Sequence, residues 1–339
     1  VVWGDRVILA QPDAISAAVL CLSRQDGRLL WRRDVSQIGG VATRSPVAQL
    51  TRPSRCGATP VTDGRRVVVL LGSVIWCLDL EGNELWQREV ENRDPSNGMP
   101  ASPVLVDGLC LVALEEPPRV EALDAASGET RWSVPLARAP RSLPVTRDGI
   151  LVAASSPGWL GVRVRDGGTA WTLDRNPEGS PVEFTLGPGW LVASGAGRPA
   201  MGFSLKGDGL PVRRWASSSV GPVSLPGVFR GNHLFLLTEN GDAVCLDREK
   251  GRILGRRSLR AEGEVSGNWS APLLSGGRLY LANGSGVVTV LAAVPALDVL
   301  AVNRVGEPFS STLAGSDGDL FLRTESALWC LREGARSED

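Results

Sequence analysis

The sequence predicts an all-β fold, an eight-bladed β-propeller of four-stranded antiparallel blades. Three observations predict it. One hairpin recurs along the whole 339-residue chain, Gly-rich turns of the tight-hairpin kind separate its arms, and a Trp returns at one place in successive copies.

The hairpin is clearest in "VIWCLDLEGNELWQRE" (74–89), and it recurs as "AVLCLSRQDGRLLWRR" (18–33) and "RVEALDAASGETRWSV" (119–134). An isolated hairpin is marginal in water, so the copies must bury one another. Its first arm gives an anchor in each repeat: Cys21, Cys77, Ala122, Val162, Phe203, Cys245, Val290 and Cys330. Successive anchors lie 56, 45, 40, 41, 42, 45 and 40 residues apart, a period in the low forties with one insertion.

A second hairpin precedes each anchor, as in "TPVTDGRRVVVLLG" from Thr59, "SPVLVDGLCLVALE" from Ser102 and "LPVTRDGILVAAS" from Leu143. Weaker copies start at Phe184, Gly227, Ala271 and Ser311, and Val1 opens a shortened one. Asp-Gly and Gly-Gly at the tips tolerate the positive φ that two-residue turns demand. The Val/Leu/Ile-rich arms are nearly continuous in apolar residues, which predicts strands buried on both faces.

Trp31, Trp86, Trp132, Trp171 and Trp215 fall in the fourth strand of their repeats, with Gly255 and Leu300 in that place in the sixth and seventh. A large flat side chain at this site is expected to pack on the next blade. The last repeat ends "ALWCLREGARSED", three strands and a polar tail. The last blade is therefore expected to lack its fourth strand. The chain reads as a single propeller domain over 1–339, a fragment whose closing strand lies upstream of Val1.

Composition narrows the function. Lys and Arg number 36 against 37 Asp and Glu, a net charge of −1, so no general affinity for nucleic acid or an anionic membrane is expected. No apolar run approaches the ~20 residues of a membrane span, and no signal peptide is visible in the chain. The one histidine, His233, sits at a hairpin tip, and no nucleophile-elbow, P-loop or dinucleotide motif occurs. Glu115 and Glu116 precede two prolines and read as a solvated turn. "NWS" at Asn268 and "NGS" at Asn283 match the glycosylation triplet.

Of the six cysteines, Cys21, Cys77, Cys245 and Cys330 share one repeat position that holds Ala, Val or Phe elsewhere. They read as buried core thiols, as does Cys110. Equivalent positions on stacked sheets are about 10 Å apart, too far for a disulfide. Cys56 lies in a long loop and is the candidate for an exposed thiol. No CxxC or Cys/His cluster suggests zinc.

The long connections leaving the fourth strands are the candidate partner-binding loops. They are Ser36 to Gly57 with Arg44, Arg52 and Arg55, Glu91 to Pro100 with Arg93 and Asn97, and the loop holding Asn268 and Trp269. An unknown protein or a small anionic ligand is the expected partner, and because arginine suits carboxylates and phosphates these loops suit an anionic ligand or an acidic peptide.

The pattern "ALD…SGE..W" after "SPV..DG" resembles the pyrroloquinoline-quinone-like β-propeller repeat family, and the resemblance covers essentially the whole chain. That family includes quinone-dependent alcohol dehydrogenases and the outer-membrane-assembly lipoprotein propellers. The enzyme branch implies an adjacent cysteine pair over the quinone and a Glu/Asn/Asp set for calcium. No two cysteines are adjacent here, so no cofactor and no catalytic residue is expected. The reading is a non-catalytic, periplasmic or secreted, monomeric scaffold for protein or ligand interaction. The alternatives are a quinone-dependent oxidoreductase, or an extracytoplasmic sensor module of a larger protein.

Overall fold

The computed structural model describes residues 1–12, 17–34, 58–71, 74–90, 101–155, 158–173, 183–195, 197–206, 210–260, 269–309, 311–324 and 326–332. Within them the fold is all-β, an eight-bladed β-propeller. Blade 1 holds β1 (Val2–Trp3), β2 (Arg6–Pro12), β3 (Ala17–Ser23) and β4 (Leu29–Asp34). Blade 2 holds β5 (Val61–Thr62), β6 (Arg66–Leu71), β7 (Val74–Asp79) and β8 (Glu84–Glu89). Blade 3 holds β9 (Val104–Val106), β10 (Leu109–Glu115), β11 (Pro118–Asp124) and β12 (Thr130–Pro135). Blade 4 holds β13 (Ile150–Ser155), β14 (Gly158–Arg163) and β15 (Thr169–Leu173).

Blade 5 holds β16 (Glu183–Gly187), β17 (Trp190–Ser194), β18 (Ala200–Lys206) and β19 (Leu210–Ser217). Blade 6 holds β20 (Val228–Arg230), β21 (His233–Leu237), β22 (Asp242–Asp247) and β23 (Ile253–Ser258). Blade 7 holds β24 (Leu273–Ser275), β25 (Arg278–Ala282), β26 (Val287–Ala292) and β27 (Val299–Arg304). Blade 8 holds β28 (Ala314–Ser316), β29 (Asp319–Arg323) and β30 (Leu328–Leu331). The last blade has three strands, as expected. Blade 4 departs from the expectation: its first strand shrinks to one bridge between Val145 and Leu151. Two compact units divide the chain, Val1–Val145 with Gly149–Asn176, and Thr146–Asp148 with Pro177–Asp339.

The turn chemistry acts as the sequence requires. Asp107-Gly108, Gly276-Gly277 and Asp317-Gly318 each place two successive residues at positive φ in a first-to-second-strand turn. Asp124 closes the third-to-fourth-strand turn by accepting from the Ala126 and Ser127 amides, and Asp247 does the same for Glu249 and Lys250.

Burial on both faces follows from period-two alternation. On β6, Val67, Val69 and Leu71 pack toward Ile8, Val19 and Cys21 of blade 1. Val68 and Leu70 of the same strand pack toward Cys110, Val112 and Leu114 of blade 3. In the second unit, Leu234 and Leu236 join Val192 and Trp215 of blade 5, while Phe235 and Leu237 join Leu279 and Leu281 of blade 7. Each such side chain contributes about 1.5–3 kcal/mol by leaving water.

The repeat register needs three corrections, two at the anchor and one in a fourth strand. A bulge recurs after the anchor in seven blades, and it identifies the equivalent residues as Cys21, Cys77, Ala122, Gly161, Gly202, Cys245 and Val290. The anchors in blades 4 and 5 are thus Gly161 and Gly202, not Val162 and Phe203. Each lies against the Trp facing it, so that an added Cβ would come within 2.2 Å of the Trp171 ring and 2.1 Å of the Trp215 ring. The residue opposite Val290 is Ala301. Leu300 is the extra residue of the bulge and is therefore exposed.

The fourth-strand Trp residues fasten neighbouring blades within each unit. Trp31 donates its indole N–H to the Leu80 carbonyl at 2.9 Å, and Trp86 donates to Ala125 at 3.1 Å. Trp132 donates to Val164 and Trp215 to Arg248, both at 2.7 Å. Each ring lies over a glycine of the next blade's third-to-fourth-strand turn: Gly82, Gly128, Gly167 and Gly251, all at positive φ. A Cβ there would lie under 3.0 Å from the ring, so the bare glycine is what admits the indole. Blade 6 reverses the fit. Gly255 leaves room for the Pro295 carbonyl of blade 7, which an added Cβ would meet at 1.7 Å.

Candidate functional site

In a four-stranded meander, the second-to-third-strand turn lies at the end where the fourth strand exits toward the next blade. The sequence places its partner-binding loops at this end. Arg44, Arg52, Arg55, Arg93, Asn97 and Asn268 lie outside the described residues, as does Cys56. Trp269 is described. It forms a bridge to Asn283, and its ring lies over Gly241 in a turn of blade 6. The ring is half-buried, and the indole nitrogen is buried with no hydrogen-bond partner among the described residues. Much of Trp269 therefore serves the seam between blades 6 and 7.

Four of the five described cysteines are buried thiols, as expected. Burial pushes the thiol of Cys21 up to about 11 and those of Cys77, Cys110 and Cys245 up to about 12. These groups stay protonated near neutral pH and are poor nucleophiles. Cys330 corrects the expectation because it is exposed. Its strand β30 has no fourth strand over it among the described residues. His233 begins β21 and meets Phe235 edge-on at 6.2 Å. Asn283 is buried, and its Oδ1 accepts from the Ser285 and Val287 amides, which removes it as a glycosylation acceptor.

No group of three or more His, Cys, Asp or Glu side chains that could hold a metal ion occurs among the described residues. No helix among the described residues is long and apolar enough to cross a membrane.

The feature that sequence reasoning passed over is the arginine content of the outermost strands. In blade 1, Arg32 pairs with Asp34 at 2.6 Å and Arg33 donates to the Gly82 carbonyl of blade 2. In blade 2, Arg88 reaches across to blade 3 and pairs with Glu121 at 2.9 Å. Arg119 holds the other oxygen of Glu121 at 2.7 Å, and the Glu121 side chain is only 7% exposed. In blade 3, Arg131 pairs with Asp124 at 2.7 Å. The Arg131 hydrogen bond, helped by the two turn amides, holds the Asp124 carboxyl down at about 2.

Blades 5 and 6 differ. Arg214 donates to Ser204 Oγ, and Arg256 pairs with Asp242 at 2.8 Å while donating to the Ser219 and Val220 carbonyls. Arg213, Arg252, Arg257 and Arg260 are exposed. Their guanidinium groups make no hydrogen bond or ion pair among the described residues. The signal was visible in the doublets "RRW" (213–215) and "RRS" (256–258), but pairing depends on acids supplied from elsewhere.

The comparisons agree with this architecture. A family model described as outer membrane protein assembly factor BamB matches residues 71–210 and 212–299. The outer membrane protein assembly factor BamB of Yersinia pestis is 24% identical over 225 residues, covering 59% of this chain and 54% of that protein. The protein of the same name from Moranella endobia is 26% identical over 168 residues, covering 48% of this chain and 39% of that protein. The chain thus spans about half or less of the length of these curated relatives. Two crystal structures share the fold. BamB from Moraxella catarrhalis superposes with a TM-score of 0.73 at 14% identity, covering 99% of this chain and 94% of that one. The computationally designed Ika8 protein gives 0.70 at 12% identity, covering 97% of each. The matched residues make up more than half of the chain, and this chain belongs to the outer membrane protein assembly factor BamB family.

Proposed function

We propose that the chain is a non-catalytic propeller scaffold that binds other proteins during outer-membrane protein assembly, in the periplasm. The observation that carries the proposal is the family match over residues 71–210 and 212–299. The chemistry supports it. The buried thiols are held protonated, and the indoles of Trp31, Trp86, Trp132 and Trp215 are engaged in joining blades. What the molecule offers a partner is its surface. In this reading Arg44, Arg52, Arg55, Arg93, Asn97, Asn268 and Trp269 supply contacts from the loop end.

The test is affinity purification of the tagged chain from cross-linked cell envelopes of its source. Recovery of outer-membrane assembly proteins, lowered by Arg52→Ala with Arg55→Ala, is the expected result. A parallel thermal-shift titration with pyrroloquinoline quinone, with and without calcium, is expected to show no change. A saturable, calcium-dependent rise in Tm would overturn the non-catalytic reading, because a ligand of the native state must stabilise it.

A further inference from the structure

We infer that the outer rim of blades 5 and 6 is an electrostatic docking face for an acidic, extended segment of a partner protein. The inference rests on the scaffold reading and names where, and by what chemistry, one partner is held.

The charge distribution comes first. Residues 210–260 contain nine Lys and Arg against four Asp and Glu, whereas the other 288 residues contain 27 against 33. Two of the four acids are committed locally. Asp242 is held by Arg256, and Asp247 caps its turn. Glu239 is exposed and accepts from Ser224, and Glu249 is exposed beside the arginines. A surplus of cations on one face raises the encounter rate with an acidic partner.

The charges lie on and beside the outermost strands of two neighbouring blades. Trp215 donates to the Arg248 carbonyl and lies over Gly251, which draws β19 onto the Asp247–Arg252 turn of blade 6. Arg213 lies on the outermost strand of blade 5, and Lys250 and Arg252 lie in the turn that leads into the outermost strand of blade 6. Arg257 and Arg260 continue the line along and beyond β23. Arg256 reaches back to the Ser219 and Val220 carbonyls and fixes β23 against the end of β19.

Two further features select a protein segment. β19 and β23 are the outermost strands of their sheets, so each has one edge of backbone groups with no strand beside it among the described residues. An extended peptide can pair with such an edge. Leu210, Val212 and Leu254 are exposed at 45%, 39% and 39% among the arginines. Arginine forks for carboxylates, apolar contacts between them and an open strand edge suit an extended chain of alternating acidic and apolar residues. A phosphate headgroup would engage only the arginines.

The test measures fluorescence polarisation of a short labelled peptide alternating Glu and Val, with an alternating Lys and Val peptide as control. Saturable binding of the acidic peptide alone, weakened by salt, is expected. The combined variant Arg213→Glu, Arg252→Glu, Arg257→Glu, Arg260→Glu should lose affinity roughly tenfold or more. The matching Arg→Lys variant should retain part of it. Arg138→Glu with Arg141→Glu, on an exposed loop of the first unit, should leave it unchanged. Equal Tm values for all variants keep the comparison one of binding. Equal loss in the control variant, no peptide binding, or sedimentation with phosphatidylglycerol vesicles in place of peptide binding would each overturn the inference. If the four-Glu variant still recovers assembly proteins from envelopes, the docking face falls while the scaffold reading stands.

Discussion

Blades 1 to 3 and blades 5 and 6 carry arginine on their outermost strands and use it differently. In the first group, Arg32, Arg33, Arg88 and Arg131 are each satisfied by an acid or a carbonyl, and Arg33 and Arg88 reach the next blade to find it. In the second, Arg214 and Arg256 are satisfied, while Arg213 and Arg257 on the strands, and Arg252 and Arg260 flanking β23, are exposed and make no hydrogen bond or ion pair among the described residues. The same residue type in the same strand is in one region a strap between blades and in the other an unpaired surface charge. A charged outer strand also guards a sheet edge against unwanted pairing. Unpaired arginines leave that guard open to a partner able to neutralise it.

The sharpest way to break the comparison is to remove the element common to both regions. Trp215→Ala deletes a buried indole and its hydrogen bond to blade 6, and is expected to destabilise by about 3–5 kcal/mol in denaturant unfolding. Trp86→Ala in the first region should match it. A loss under 1 kcal/mol at either site would contradict the inter-blade role. Gly255→Ala comes next. Its Cβ would strike the Pro295 backbone, and a loss of about 3 kcal/mol, the upper end of overpacking, is expected by the same measurement.

Smaller effects separate the two uses of arginine. Glu121→Gln leaves Arg88 and Arg119 without their shared carboxylate and should cost about 2 kcal/mol, discounted because both arginines are partly exposed. Arg257→Gln should change stability by no more than about 0.5 kcal/mol. Equal losses would erase the distinction. The smallest effect is one of pH. Asp124 sits at about 2 when folded, below its ordinary 3.8. Its contribution is therefore complete above pH 4 and is lost as pH falls toward 2. Acid unfolding of Asp124→Asn should be less steep over that window than that of the parent, and an identical profile would contradict the Arg131 pairing.

Much of the fold was legible because one short hairpin, repeated, carries its own turn and packing signals. The register failed where Gly161 and Gly202 stand at the anchor. An apolar pattern naturally selects Val162 and Phe203, and only the Trp ring lying over each glycine explains the choice. Ala301 was missed because the exposed Leu300 of the bulge reads as a core residue. The exposure of Cys330 was hidden because burial at that position depends on a covering fourth strand, although the missing strand itself was read from the chain's end. The arginine doublets were plain in the sequence, but Glu121 lies 33 residues from Arg88, and no local pattern distinguishes a paired arginine from an unpaired one.

The central claim is that this molecule works by holding other proteins against a particular part of its surface. Leu85 and Leu254 occupy the same bulge position in blades 2 and 6, and both are exposed. A photo-cross-linking amino acid placed at each, in living cells of the source, asks the question directly. The account predicts cross-links to an outer-membrane assembly protein from position 254 and none from position 85. Cross-links from 85 alone, or from neither position, would contradict it.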